Sequence, residues 1–568
     1  MNIYQVFTRI YGNPISANKE GGSYSENGSA KMNDFTQSAL KRIRDFGFSH
    51  IWYTGIIEHA TQTDYSQHGI RKDHPWVVKG KAGSPYAIKD YYDVDPDLAV
   101  DVTHRMKEFE HLVERTHQAG LKVIIDFVPN HVARQYHSDV APKGVEDLGA
   151  SDDVQMHFSP SNNFYYCQGV SLCLDHINKE AEVPLPYSEH PAKATGNDHF
   201  SACPSQNDWY ETIKLNYGVD YSAGRSPHFS PIPDTWLKMT HILSFWAAKG
   251  VDAFRCDMAE MVPVEFWHYA ITKIKAEYPH IEFIAEVYNP ALYRNYIHHG
   301  KFDYLYDKVG LYDTLRAVIN HQAPASAITH CWQQVDDIKR HMLYFLENHD
   351  EQRIASPFFC GDPRKAFPAL VVECFMGTNP VMIYAGQELG EQGMDKEGFS
   401  GHDGRTTIFD YWSPQSLRKL ASLPPLGKTG TPKAKAILTD QEWEIYEFYR
   451  HILRLRTMHP ALEKGLFYDL MYTNYAGERG LNPDRHFAFL RRSPDELILC
   501  VANFGETEAR IGVHIPKHAF EFLSLPEGVF DGKDIISDTP ASITLCQDGY
   551  SEICIPPHHA SAIAIALP

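Results

Sequence analysis

The chain has 568 residues, more than a single hydrophobic core organises, so a large domain with one or more smaller ones is expected. Its 53 Lys and Arg stand against 72 Asp and Glu, a net charge of −19, which argues against a nucleic-acid backbone or an anionic membrane as partner and leaves neutral substrates open. No apolar run reaches the roughly 20 residues of a membrane span, so no membrane-crossing helix is expected.

The start, MNIYQVFTRI, reads as a β-strand at once, over 3–7; with Arg9 and no apolar h-region it does not resemble a signal peptide. A helix at 33–45 leads into FGFSHIWYTGI and a strand at 48–54. The helix at 103–119 stops at Gly120, a residue at ease in the left-handed conformation, and LKVIIDFVPNH then carries a strand at 121–126. Helix 234–249 precedes Gly250 and a strand at 251–256, and helix 263–277 precedes a strand at 281–285. FDYLYDK supplies a weaker sixth strand at 302–306. Helix 325–340 precedes a strand at 342–347, and helix 364–377 precedes one at 381–384.

Buried apolar strands alternating with helices indicate a parallel sheet, and eight such units favour a closed (β/α)8 TIM barrel. The stretch after strand 3 is too long for a simple connection and reads as an inserted subdomain. Its Tyr165, Tyr166, Trp209 and Tyr210 carry rings that suit sugar faces. After helix 440–457, short strands at 487–492, 496–504, 509–515, 542–548 and 561–568 follow without helices between them, the pattern of an antiparallel β-sandwich. The organisation read this way is a barrel over 1–131 and 229–460, an insertion over 132–228 and a C-terminal sandwich over 461–568. The ten Cys lack CxxC pairs and zinc spacing, which fits reduced thiols and a cytoplasmic setting, or a periplasmic or secreted one if a signal peptide has been removed. Cys167 and Cys173 are close enough in sequence to bridge.

Polar residues collect at the C-terminal ends of the strands, where barrels of this kind carry their sites. They are Asp126, Asn130 and His131 after strand 3, Arg255 and Asp257 at strand 4, Glu286 at strand 5, and His349 and Asp350 after strand 7. Any one of them alone is an ordinary cap or ion-pair partner; four strand ends showing the pattern together are not. Clustered carboxylates with a guanidinium suit glycoside hydrolysis, in which one carboxyl gives a proton and another attacks as an anion. Arg255 and Asp257, two apart on a strand, point to the same side and favour an ionised Asp257 as nucleophile. LGKTG at 426–430 is no phosphate loop, because Ser422 stands where its first Gly belongs and no strand precedes it.

DFVPNH (126–131), GVDAFRCDMAE (250–260), FIAEVYN (283–289) and FLENHD (345–350) resemble, in order and spacing, the four signature regions of the α-amylase superfamily, glycoside hydrolase family thirteen. The resemblance implies Asp257 as nucleophile, Glu286 as general acid/base and Asp350 as transition-state stabiliser. It implies that His131 and His349 contact the sugar next to the cut and that Arg255 orients the nucleophile. SPYAIKDYYDVDP (84–96) resembles the segment whose Tyr stacks under that sugar, which nominates Tyr86. The implied activity is retaining hydrolysis of α-glucosidic, mainly α-1,4, bonds in maltooligosaccharides or starch-like glucans. A glucan transferase or isomerase on the same site is the alternative, and a non-catalytic carbohydrate-binding relative the remote one. The chain departs from many members at Glu260 and Met261, where Lys and His are usual. The loss of that His removes a usual calcium contact, so no cofactor is expected to be required. Calcium remains possible, with Asn130 as a candidate ligand.

Overall fold

Eight parallel strands close into a barrel: β1 (Asn2–Phe7), β2 (His50–Thr54), β3 (Lys122–Phe127), β4 (Ala253–Cys256), β5 (Glu282–Ala285), β6 (Tyr304–Tyr306), β7 (Met342–Phe345) and β8 (Val381–Tyr384). The ring is completed where β1 pairs with β8, from Asn2 opposite Val381 to Gln5 opposite Tyr384. This computed structural model describes every residue except 175–182, 184, 394–401, 548 and 568. Each strand is apolar on both faces because one face fills the barrel and the other packs on the helix ring. Ile3, Trp52, Ile124, Ala253, Ile284, Leu343, Phe345 and Met382 fill the interior.

The interior pattern places the site. Ile124 and Ala253 point inward and pair across β3 and β4, as do Asp126 and Arg255 two residues on. Ile284 also points inward. With a side-chain period of two, Asp126, Arg255 and Glu286 follow their apolar predecessors toward the same face, at its C-terminal rim. The helices stop where a residue without Cβ takes over: Gly120 and Gly250 hold φ of 80° and 90° directly before β3 and β4.

All eight barrel strands fall where the sequence places them, but the helix expected over 325–340 is shorter, Ala327–Gln334. Arg294 takes the Gln334 carbonyl at 2.9 Å and pairs with Asp337 at 2.6 Å, which ends the helix early. The 132–228 segment builds short pairs of its own, and Thr212–Lys214 lies antiparallel to His131–Ala133. Tyr165 sits in an aromatic cluster with Phe158, Phe200 and Tyr221. Tyr165, Tyr166 and Tyr210 are buried.

The C-terminal region forms a six-stranded and a two-stranded antiparallel sheet. The expectation of no helix between its strands is corrected: Lys517–Leu523 is helical and buries Ala519, Phe520 and Leu523. Three strands escape an apolar-pattern reading, Leu466–Asp469, Gly528–Asp534 and Tyr550–Ile555. Gly528–Asp534 is polar and largely exposed. Its Gly532 is required by close pairing, since a Cβ there would lie 2.1 Å from the Ala564 carbonyl oxygen. Cys167 and Cys173 are both free thiols. No helix among the described residues is long and apolar enough to cross a membrane.

Candidate active site

A cleft of about 370 Å³ opens at the C-terminal rim of the barrel, and Tyr86, His131, Asp257, Glu286 and Asp350 all line it. Arg255, 1% exposed, is its hub. Its Nη1 donates to Asp257 Oδ1 at 2.8 Å and lies 3.5 Å from Asp126 Oδ1, while Nη2 is 2.9 Å from Glu286 Oε2. Its Nε donates to the Tyr306 hydroxyl at 3.1 Å, and the guanidinium packs over the rings of Trp52, Tyr86 and Tyr306. A lone buried guanidinium is costly; three carboxylates and three aromatic faces offset that cost and fix its orientation.

The turn after β4 clasps the end of β5. Met258 adopts φ 43°, a left-handed conformation unusual for a residue with a side chain. Its amide thereby donates to Glu286 Oε2 at 2.8 Å. On the other oxygen, Oε1 accepts from the Tyr288 hydroxyl at 2.5 Å. Asp257 is held by one oxygen only. Its Oδ2 is buried and accepts no hydrogen bond among the described residues.

Charge is shared unevenly across these groups. Burial first, then the charge of Glu286, push the Asp257 carboxyl upward, and Arg255 opposes both. The guanidinium bonded to Oδ1 favours the ionised form of Asp257 against both. Asp350 is the most open of the three, its side chain 39% exposed. Burial would raise its carboxyl, but His349 and Arg255 outweigh it and hold it at about 2. His349 Nε2 lies 3.0 Å from Asp350 Oδ2 and 2.6 Å from the Tyr86 hydroxyl, and its Nδ1 meets the Gln5 side-chain amide at 2.8 Å. The Tyr86 ring stacks on it at 5.1 Å. Burial, with Lys214 and Lys79 nearby, pushes His131 down to about 3, so its imidazole is neutral at ordinary pH and suited to hydroxyl groups. Its ring packs against Trp209 at 5.1 Å.

The sequence nominees Tyr86, His131, Arg255, Asp257, Glu286, His349 and Asp350 therefore lie together. Of the insertion aromatics, only Trp209 reaches the cleft. Asn130 faces elsewhere, and a cation does not fit beside it. The Lys214 ammonium contacts Asn130 Oδ1, the Met261 carbonyl at 3.2 Å and Asp198 Oδ1 at 2.7 Å, so a fixed positive charge already occupies this nest of oxygens.

Sequence reasoning missed Tyr288, Lys79 and Glu211. Lys79 and Glu211 pair at 3.0 Å, both with little exposure, tying the segment after β2 to the insertion along one side of the cleft. Tyr288 stands two residues past Glu286, and that spacing was the one local signal for it. Glu260, noted only as a departure, accepts from the amides of Tyr288 and Asn289 at 3.2 and 3.0 Å.

A closed parallel barrel with two carboxyls bracketing a buried guanidinium at its C-terminal rim defines a barrel glycosidase. The family model for the alpha-amylase catalytic domain matches residues 31–465, and the chain belongs to that family. Alpha-amylase 2 of Dictyoglomus thermophilum is 21% identical over 85% of this chain and 66% of its own length. Alpha-amylase 3 of the same bacterium is 22% identical over 74% of each. Among solved structures, a maltogenic alpha-amylase, AmyB of Thermotoga neapolitana, has the same fold over 100% of this chain and 99% of its own, at a TM-score of 0.62 and 19% identity. AmyP in complex with maltose aligns at 0.63 and 15% identity, over 100% of this chain and 97% of its own.

Proposed function

We propose that this protein is a retaining glycoside hydrolase that cleaves α-glucosidic, mainly α-1,4, bonds in short maltooligosaccharides and needs no metal. The observation that carries the reading is Asp257 Oδ2, buried without a partner in the cleft while Arg255 holds the other oxygen. Glu286 gives its proton to the glycosidic oxygen as that bond breaks, and Asp257 Oδ2 bonds to the anomeric carbon. Water then gives a proton to Glu286 and its oxygen to the anomeric carbon, releasing Asp257 with the configuration retained. Asp350 stabilises the positive charge that develops on the sugar ring. His131, His349 and Tyr86 hold the ring whose bond is cut.

The preference for short chains is supported by the Lys79–Glu211 pair with Trp209, Ile408 and Phe409 around the cleft. The maltose-bound relative is consistent with a glucan ligand. The test is kcat/KM from maltose to maltoheptaose and soluble starch, with the product anomer followed at early times. Efficiency should level off within the short oligosaccharides, and the α-anomer should form first. Efficiency that keeps rising to the polymer removes the length preference, and a β-anomer first removes the double displacement. Products longer than the substrate, formed at the expense of free sugar, favour the transferase alternative.

A further inference from the structure

Glu286 is over-supplied with donors for a group that must itself donate. Oε2 accepts from the Met258 amide and faces Arg255, and Oε1 accepts from the Tyr288 hydroxyl. Donors on both oxygens stabilise the carboxylate. They also leave neither oxygen of Glu286 without a donor. Met258 and Arg255 belong to the barrel rim. Tyr288 does not: it stands on the loop after β5, lines the cleft and is half-buried.

The loop is held by Glu260, whose Oε2 accepts both the Tyr288 and the Asn289 amide. A Lys at position 260 has no acceptor to offer these amides. The departure at 260 and the phenol at 288 thus form one device.

We propose that Tyr288 is a positioning residue that keeps Glu286 ionised in the free enzyme and is displaced from Oε1 when a sugar occupies the leaving-group side, and that Glu260 holds its loop in place. The inference rests on Glu286 being the acid/base. Displacement removes one donor from the carboxylate, so Glu286 takes up its proton where the glycosidic oxygen arrives. The other charged and titratable groups that interact with Glu286 are Arg255 and Asp257 from β4 and Tyr306 from β6, while Asp350 from the loop after β7 faces Asp257 and Tyr288. None of these is altered by a change at 288.

The experiment compares pH profiles of kcat/KM and kcat on maltotriose for the wild type, Tyr288→Phe and Glu260→Gln. The kcat/KM profile reports the free enzyme and the kcat profile the complex. Losing a hydrogen bond to a charged group should raise the basic-side pKa of kcat/KM by about one unit in Tyr288→Phe. The kcat limb should stay in place, because the phenol has already left. Glu260→Gln should move the same limb the same way, by less. Superimposable kcat/KM profiles overturn the proposal, and equal shifts in both limbs overturn the displacement. A Glu286→Gln variant separates the two readings. If it keeps wild-type turnover, the acid/base assignment falls; if it is inactive while Tyr288→Phe shifts nothing, only this inference falls.

Discussion

Replacing Lys214 tests whether a fixed ammonium does structurally what a bound cation would do. Lys214 lies on the insertion strand that pairs with His131–Ala133, and its Nζ joins the insertion to the barrel rim through Asn130, Met261 and Asp198. Lys214→Met keeps the stem and removes the charge. Asn130 Oδ1 and the Met261 carbonyl then lose a donor, at about 1–3 kcal/mol for a buried acceptor left unsatisfied. Breaking a buried ion pair costs about 3–5 kcal/mol, but Asp198 is 27% exposed and water recovers part of that. A net loss of about 3 kcal/mol follows. An unfolding entropy of roughly 2.1 cal/mol/K per residue gives about 1 kcal/mol/K for the barrel and insertion together, so the Tm should fall by about 3 °C. Lys214→Ala also opens room, and a weak calcium site there would return about 1.4 kcal/mol at tenfold excess over its Kd. The assay is scanning calorimetry with chelator or calcium, alongside activity. The wild type should ignore both, Lys214→Met should be destabilised under either condition, and Lys214→Ala alone should gain Tm with calcium. If chelation inactivates the wild type and calcium alone restores it, or if Lys214→Met is as stable as the wild type, the reasoning fails.

Asp257→Asn should lower turnover by several orders of magnitude with the Tm nearly unchanged, because an amide cannot form the glycosyl ester; a variant keeping more than about a tenth of the wild-type rate means the nucleophile is another group. Asp307, whose Oδ1 accepts from the Leu311 amide at the turn after β6, is pushed up to about 6 by burial against those backbone bonds. Its folded form therefore holds a proton that the unfolded chain releases earlier, and stability falls as pH rises from about 4 to about 6. The Tm of Asp307→Asn minus that of the wild type should grow across that window and then level off; a flat difference excludes the shift.

The eight barrel strands were legible because burial on both faces leaves continuous apolar runs, and the stops at Gly120 and Gly250 bracket them. The same period of two made Asp126, Arg255, Asp257 and Glu286 readable as inward residues at one rim, since apolar neighbours two or four positions back share their side. Alternation failed where a strand is solvent-facing, as in Gly528–Asp534, and where a side chain from elsewhere ends a helix, as Arg294 does after Gln334. Contacts between distant segments were beyond local pattern altogether. Lys214 reaches Asn130 from 84 residues away, Lys79 meets Glu211 across the insertion, and Gln5 of the first strand meets His349 after the seventh. Sequence periodicity decided which face each residue takes. The path of the loops decided which side chain arrives opposite it, and that path is set by packing between segments far apart in the chain. Tyr288 shows the division most plainly: its place two residues past Glu286 was visible in the sequence, but its bond to Oε1, and the bond of its amide to Glu260 on another loop, are tertiary contacts.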